Sequence, residues 1–145
     1  MLVPEHEFAL IILTNAESGW PAVQNMRSWA YRRYFGLEMP HPEAIESTDD
    51  DLNPYVGSYH NPFADAVLSF RDGNLVGELI YKGSYPTQDS PPIPSPPPFT
   101  LQLCAEDQLM VVDGSMQGMT IDMIRREDGT IGWMHFFARI SVREA

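Results

Sequence analysis

A chain of 145 residues suits one ordinary domain, or a small domain with an appendage, and an apolar share of 43% is enough for a core. Nine Lys and Arg against twenty Asp and Glu leave a net charge of −11, a field that repels phosphate backbones and anionic lipid surfaces. That excludes nucleic acid and membrane as expected partners, and the single cysteine, Cys104, excludes an intrachain disulfide and reads as a buried structural thiol.

The opening Met-Leu-Val-Pro-Glu-His-Glu carries acids where a secretory signal carries bases, so a signal peptide is not expected. The longest apolar run, Phe8–Leu13, is too short to cross a bilayer. It is continuously apolar and ends at Thr14-Asn15, the pattern of a strand covered on both faces. Asn15 or Ser18 can cap a following helix, Pro21–Phe35, with Pro21 in the first turn and Gly36 as the stop. Val23, Met26, Trp29, Ala30 and Arg33-Tyr34 recur with a 3.6-residue period, an apolar stripe that must lie on something.

Met39–Asn53 breaks the pattern, with Pro40, Pro42 and the acidic run Glu46-Ser47-Thr48-Asp49-Asp50-Asp51. It reads as a linker. Consecutive carboxylates without spaced ligands and a turn glycine read as solvated rather than as a cation site. The expected organisation is therefore a strand-helix segment over 1–38, a linker over 39–53 and a β-domain over 54–145.

Eight strand candidates follow: Tyr55–His60, Asp65–Arg71, Asn74–Lys82, Phe99–Cys104, Gln108–Asp113, Gly118–Arg126, Ile131–Phe137 and Arg139–Arg143. Asp72-Gly73 and Asp128-Gly129 are tight-hairpin signals, because glycine supplies positive φ at no steric cost. Consecutive hairpins without a helical period predict an antiparallel meander, and eight strands can close into a barrel and remove their edges. Gly83–Pro98 holds seven prolines and cannot join the ladder, since proline lacks the N–H donor. It reads as a long loop, partly polyproline II, that either stiffly covers one barrel mouth or docks an aromatic-lined groove of a partner.

The order of these pieces carries a resemblance. Phe8-Ala-Leu-Ile-Ile-Leu-Thr-Asn-Ala-Glu-Ser-Gly19 followed by an amphipathic helix resembles the last core strand and C-terminal helix of β-lactamase-related serine hydrolases, the penicillin-binding-protein-like, class C type. Tyr55, Gly57, Tyr59, Asn61 and Pro62 look like the Tyr-x-Gly-x-Tyr-x-Asn-Pro pattern of the first strand of the lipocalin-like C-terminal domain that many of them carry. Phe70-Arg-Asp-Gly73, Val111-Val-Asp-Gly114 and Arg125-Arg-Glu-Asp-Gly129-Thr-Ile131 sit where its hairpins are expected. The resemblance implies a mainly β fold: an eight-stranded antiparallel lipocalin-like meander barrel preceded by one strand and one amphipathic helix.

The family's catalytic motifs are missing. Its nucleophile lies in Ser-x-x-Lys, where the lysine activates the serine; the only lysine here is Lys82, with Leu79 three positions before it. Tyr59-His60-Asn61 matches the family's Tyr-x-Asn in residue type but lies in the first barrel strand, far from where the family places its catalytic tyrosine, and reads as coincidence; no Lys-Thr-Gly or His-x-Gly occurs. No cofactor is expected either: His6, His41, His60 and His135 lack metal-ligand spacing, and no glycine-rich loop precedes a helix.

Two functions fit. One is a non-catalytic accessory module of such a hydrolase, acting in assembly or in shaping access to an active site, with the strand and helix seeking a second copy or a hydrolase domain. The other is a stand-alone barrel that binds, and isomerises or cyclises, a small hydrophobic molecule. For that role Tyr59, Tyr81, Arg125 and His135 are the ligand-orienting candidates, with Asp122 as a carboxylate if its face points inward. The plainer reading fills the barrel with side chains and makes His135 a hydrogen-bonded wall residue.

Overall fold

The computed structural model describes residues 2–15, 19–38, 42–84, 87 and 89–144. Ser18, Met39, Pro40 and His41, all weighed above, lie outside the described residues, as does the side chain of Trp20. The chain divides into two units, Met1–His41 and Pro42–Ala145.

In the first unit, strands β1 (Leu2–Val3) and β2 (Phe8–Ala9) pair antiparallel. Helix α1 (Trp20–Ala30) runs into a π-turn over Tyr31–Phe35 and stops at Gly36, whose φ is +66°. The Leu37 N–H donates to the Tyr31 carbonyl at 3.3 Å, closing a Schellman-type cap. Phe8 meets Tyr34 and Phe35 at ring separations of 5.0 Å, so the hairpin packs on the end of the helix.

Two expectations change here. The strand ends at Ala9 instead of Leu13, and Ile11 and Leu13 are 80% and 89% exposed. Burial on both faces requires covering layers, and among the described residues the only strand beside this run is Leu2–Val3. The helical period holds but its phase moves: Met26, Trp29 and Tyr34 are exposed, while Ala30 is buried and Phe35 half-buried. Phase is set by what covers a helix, and here the rings of His6 and Phe8 select Phe35.

The second unit is a closed barrel in the order β10-β3-β4-β5-β6-β7-β8-β9, antiparallel at every seam. Its strands are β3 (Gly57–His60), β4 (Ala64–Arg71), β5 (Asn74–Tyr81), β6 (Phe99–Ala105), β7 (Gln108–Val111), β8 (Thr120–Arg125), β9 (Ile131–Phe136) and β10 (Arg139–Arg143). This is the lipocalin-like meander. Alternation puts Ala66 and Leu68, Leu75 and Leu79, Leu101 and Leu103, and Ile121 and Met123 inside, all at most 7% exposed. Arg71 pairs with Asn74 across Asp72-Gly73, whose φ values of +51° and +77° make the two-residue turn that matches strand twist.

What the sequence offers as a linker is in part folded onto the barrel. Thr48 and Asp51 form a reciprocal capping box at the start of helix α2 (Asp49–Leu52), so the acidic run neutralises a helix N-terminus. The Thr48 hydroxyl holds the Asp51 carboxyl below the usual carboxylate range. Leu52 and Tyr55 are 7% and 4% exposed, and a 3-10 turn over Asn53–Tyr55 leads into β3.

The β10–β3 seam has two residue pairs, Val142 with His60 and Arg143 with Tyr59, and side chains reinforce it. Asn61 Nδ2 donates to Ser141 Oγ at 2.8 Å, and His60 stands between Asp65 and Glu144. Those two carboxylates hold the His60 imidazole above its usual pKa, Asp65 contributing most.

Candidate functional site

The barrel has two mouths. The near mouth is formed by the β4–β5, β6–β7 and β8–β9 turns with the Asn53–Tyr55 segment against them, and the far mouth by the β3–β4, β5–β6, β7–β8 and β9–β10 connections. The five ligand-orienting candidates do not meet at either one.

Tyr59 faces inward and is 0% exposed, with its hydroxyl donating to the Tyr55 carbonyl at 2.7 Å. Burial pushes its pKa up to about 12. It is a wall residue whose polar end is satisfied. Arg125 closes the near mouth: Nε and Nη2 donate to the two Asp107 oxygens at 2.7 and 2.6 Å, and Nη1 to the Gly129 carbonyl at 2.7 Å. The Tyr55 hydroxyl adds a bond to Asp107 at 3.0 Å, and the Arg125 guanidinium holds the Asp107 carboxyl below its usual range. Tyr81 sits at the opposite end, opposite Ala64.

Asp122 and His135 are paired across β8 and β9, but on the outer wall, with side chains 48% and 42% exposed. The condition set on Asp122, that its face point inward, is not met, because its neighbours Ile121 and Met123 take the inward positions. His135 Nδ1 lies 3.2 Å from Asp122 Oδ2, and Gln108 Nε2 donates to Oδ1 at 2.7 Å. Cys104 is half-buried beside them and donates to Gln108 Oε1 at 3.3 Å; burial pushes its thiol pKa up. The row is a hydrogen-bonded polar ladder on the outside of the barrel.

Sequence reading overlooks the far-mouth rim. Phe63 and Phe137 are 55% and 48% exposed, and the Arg139 guanidinium lies 3.8 Å over the Phe63 ring. Phe137 stacks on Phe136 at 4.3 Å, and Phe136 on Phe99 at 6.2 Å, so an aromatic row runs from the core to the rim. Among the described residues Arg139 has no carboxylate partner, whereas Arg71 and Arg125 are each bound to one. Phe137 and Ala138 both have positive φ, +50° and +56°, in a two-residue turn with no glycine or asparagine. A bulky residue held there is strained, and such strain persists where the surroundings over-determine it. The one trace in the sequence is a tight turn, Phe-Phe-Ala-Arg, without turn residues. Chemically the rim offers a guanidinium, without a carboxylate partner among the described residues, on the exposed Phe63 ring, a seat for a carboxylate flanked by an apolar group.

No protein-family model and no curated protein matches the chain. Solved structures of SurE are among those similar in fold. The crystal structure of SurE with D-Leu aligns with a TM-score of 0.52 at 13% identity, over 87% of this chain and 28% of that one. A crystal structure of SurE aligns with a TM-score of 0.50 at 13% identity, over 86% and 26%. The chain thus spans about a quarter of the length of SurE, and the likeness is one of fold.

Proposed function

We propose that this chain is the C-terminal, non-catalytic module of a β-lactamase-related serine hydrolase, and that its barrel shapes access to an active site on another stretch of polypeptide. The observation that carries the reading is the apolar strand-helix segment, in which Ile11, Leu13, Met26 and Trp29 are 80%, 89%, 51% and 58% exposed. Side chains of that size left in water at one segment mark an interface that a hydrolase sheet or a second copy covers. The rim adds chemistry to the access role: D-Leu, with which SurE was crystallised, has a carboxylate and an isobutyl group, which the Arg139 guanidinium and the Phe63 ring match in kind. The alternative of a stand-alone ligand-binding barrel asks for a cavity of roughly 300 Å³ with convergent polar groups. Leu68, Leu75, Leu101, Leu109, Ile121 and Met134 instead fill inward positions at no more than 2% exposure.

Sedimentation equilibrium tests the interface. The chain should self-associate at micromolar concentration, and Ile11→Asp with Leu13→Asp should leave a monomer whose barrel melts at an unchanged temperature. A wild-type chain that stays monomeric, and that binds no β-lactamase-related hydrolase domain added in excess, overturns the reading. The rim is tested by converting Phe137-Ala138 to Asn-Gly, the pair that this turn geometry favours. Relief of the strain should raise stability by about 1–2 kcal/mol in urea unfolding. The same variant should lose the shift of the Arg139 Nε resonance that D-Leu produces in the wild type. A stability gain without any D-Leu response in the wild type would remove the rim from the function.

A further inference from the structure

Every residue from Ser90 to Pro98 is a proline or precedes one. The pyrrolidine ring fixes φ near −65° and its Cδ bars the α region to the residue before, so sterics alone confine the stretch to polyproline II. That helix has three residues per turn, and the stretch therefore has three edges. One edge, Ile93-Pro96-Phe99, turns toward the barrel: Phe99 is 4% exposed, Pro96 half-buried and Ile93 at 37%. A second edge, Pro92-Ser95-Pro98, lies along the β5 side, where Pro92 bridges Ser84 and Ser95 Oγ accepts the Tyr81 N–H at 3.1 Å. The third edge, Pro91-Pro94-Pro97, is exposed along its whole length.

We propose that this third edge is a preformed polyproline ligand for a partner protein whose groove is lined by aromatic rings and rimmed by neutral or basic side chains. The second edge is exposed too, but it is tied at Pro92 and Ser95, whereas the third edge carries no such tie among the described residues. The bond from the Ile93 N–H to the Gly83 carbonyl, 3.0 Å, and the Ser95 contact pin the stretch at its middle, which removes ordering entropy that a loose peptide would lose on docking. Charge selects the groove. No charged residue occurs from Ser90 to Ala105 in a chain of net charge −11, and Asp89 and Glu106 flank that neutral window. An acidic-rimmed groove of the kind that pairs with an arginine-bearing ligand is repelled, whereas a neutral or basic one is not. Polyproline carbonyls have no N–H partner within their own helix, so indole N–H and tyrosine hydroxyl groups in such a groove have acceptors to meet. The inference is independent of the hydrolase reading.

The test is an NMR titration of a 15N-labelled WW domain with a neutral or basic rim, using the unlabelled full chain as titrant, since the chain's own three tryptophans would mask a fluorescence signal. Saturable binding is expected, with Kd on the order of 100 µM. Pro94→Ala with Pro97→Ala should weaken it about tenfold, and Ile93→Val, on the barrel-facing edge, should leave it unchanged. A free peptide of residues 90–98 should displace the chain, which decides the matter if the double variant fails to fold. No saturable change at millimolar chain, equal binding by a folded double variant, or failure of the peptide to compete overturns the proposal.

Discussion

Replacing Arg143 by methionine is expected to lower the unfolding free energy by about 3 kcal/mol. Arg143 is the last residue of β10, and its guanidinium is the main side-chain tie across the short β10–β3 seam. Nη1 donates to the Pro54 carbonyl at 3.1 Å and to the Ile131 carbonyl at 3.4 Å, and Nη2 donates to the Val56 carbonyl. The group also lies 6.0 Å from the Tyr59 ring centroid. It thus joins the segment preceding β3, the start of β9 and the end of β10 in one fork. A hydrogen bond from a charged donor contributes about 1.5–3 kcal/mol, and the Ile131 and Val56 carbonyls, partly withdrawn from water, keep no other side-chain donor among the described residues once it is gone. Lysine keeps the charge but not the planar fork, so Arg143→Lys should recover less than half of the loss. Urea unfolding of the two variants measures this, and a methionine variant within about 0.5 kcal/mol of wild type would mean that water replaces the guanidinium without cost.

Gly77→Ala should cost about 2–3 kcal/mol, although alanine is the smallest change possible in a strand. Gly77 is in mid-β5, opposite Phe99 of β6 and Leu68 of β4. A β-carbon there would stand 2.5 Å from Phe99 Cε2 and 2.7 Å from Cζ. The ring cannot easily retreat, since it is 4% exposed and packs against Phe136. The same geometry sets the rescue: Phe99→Leu frees the space, and the double variant should be more stable than the sum of the two single losses allows. A double-mutant cycle reads the coupling, expected near 1–2 kcal/mol, and additivity would show that the contact is not the cause.

Much of the barrel was legible because its signals are local. Asp72-Gly73 specifies a turn through the φ values its own two residues tolerate, and the alternation from Asn74 to Tyr81 follows from a period of two that no distant residue alters. The Tyr55, Tyr59 and Asn61 pattern also has a local explanation: Tyr59 bonds the Tyr55 carbonyl, and Asn61 Oδ1 accepts the N–H groups of Phe63 and Ala64 at 2.8 and 3.0 Å to shape the next turn. The acidic run is solvated as its composition suggests, but the short helix within it became visible only once Thr48 was seen opposite Asp51. The candidate site was the least legible part. Arg125 and Arg139 are the same residue type near strand ends, and nothing nearby in the chain says that Asp107 neutralises one while the other stacks on Phe63.

By itself, then, the sequence determined the elements and their faces: eight short strands with alternating interiors, two Asp-Gly turns, a helix stopped by Gly36 and a proline stretch barred from the ladder. These depend on backbone sterics and side-chain period, which act over a few residues. Only the tertiary structure decided which polar groups meet, that Asp122 and His135 pair on the outer wall, that Arg125 ties the Asp107 and Gly129 turns at one mouth, and that Arg139 lies on Phe63 at the other. Those outcomes depend on register and closure across strands far apart in the chain, where a shift of one residue turns every side chain to the opposite face.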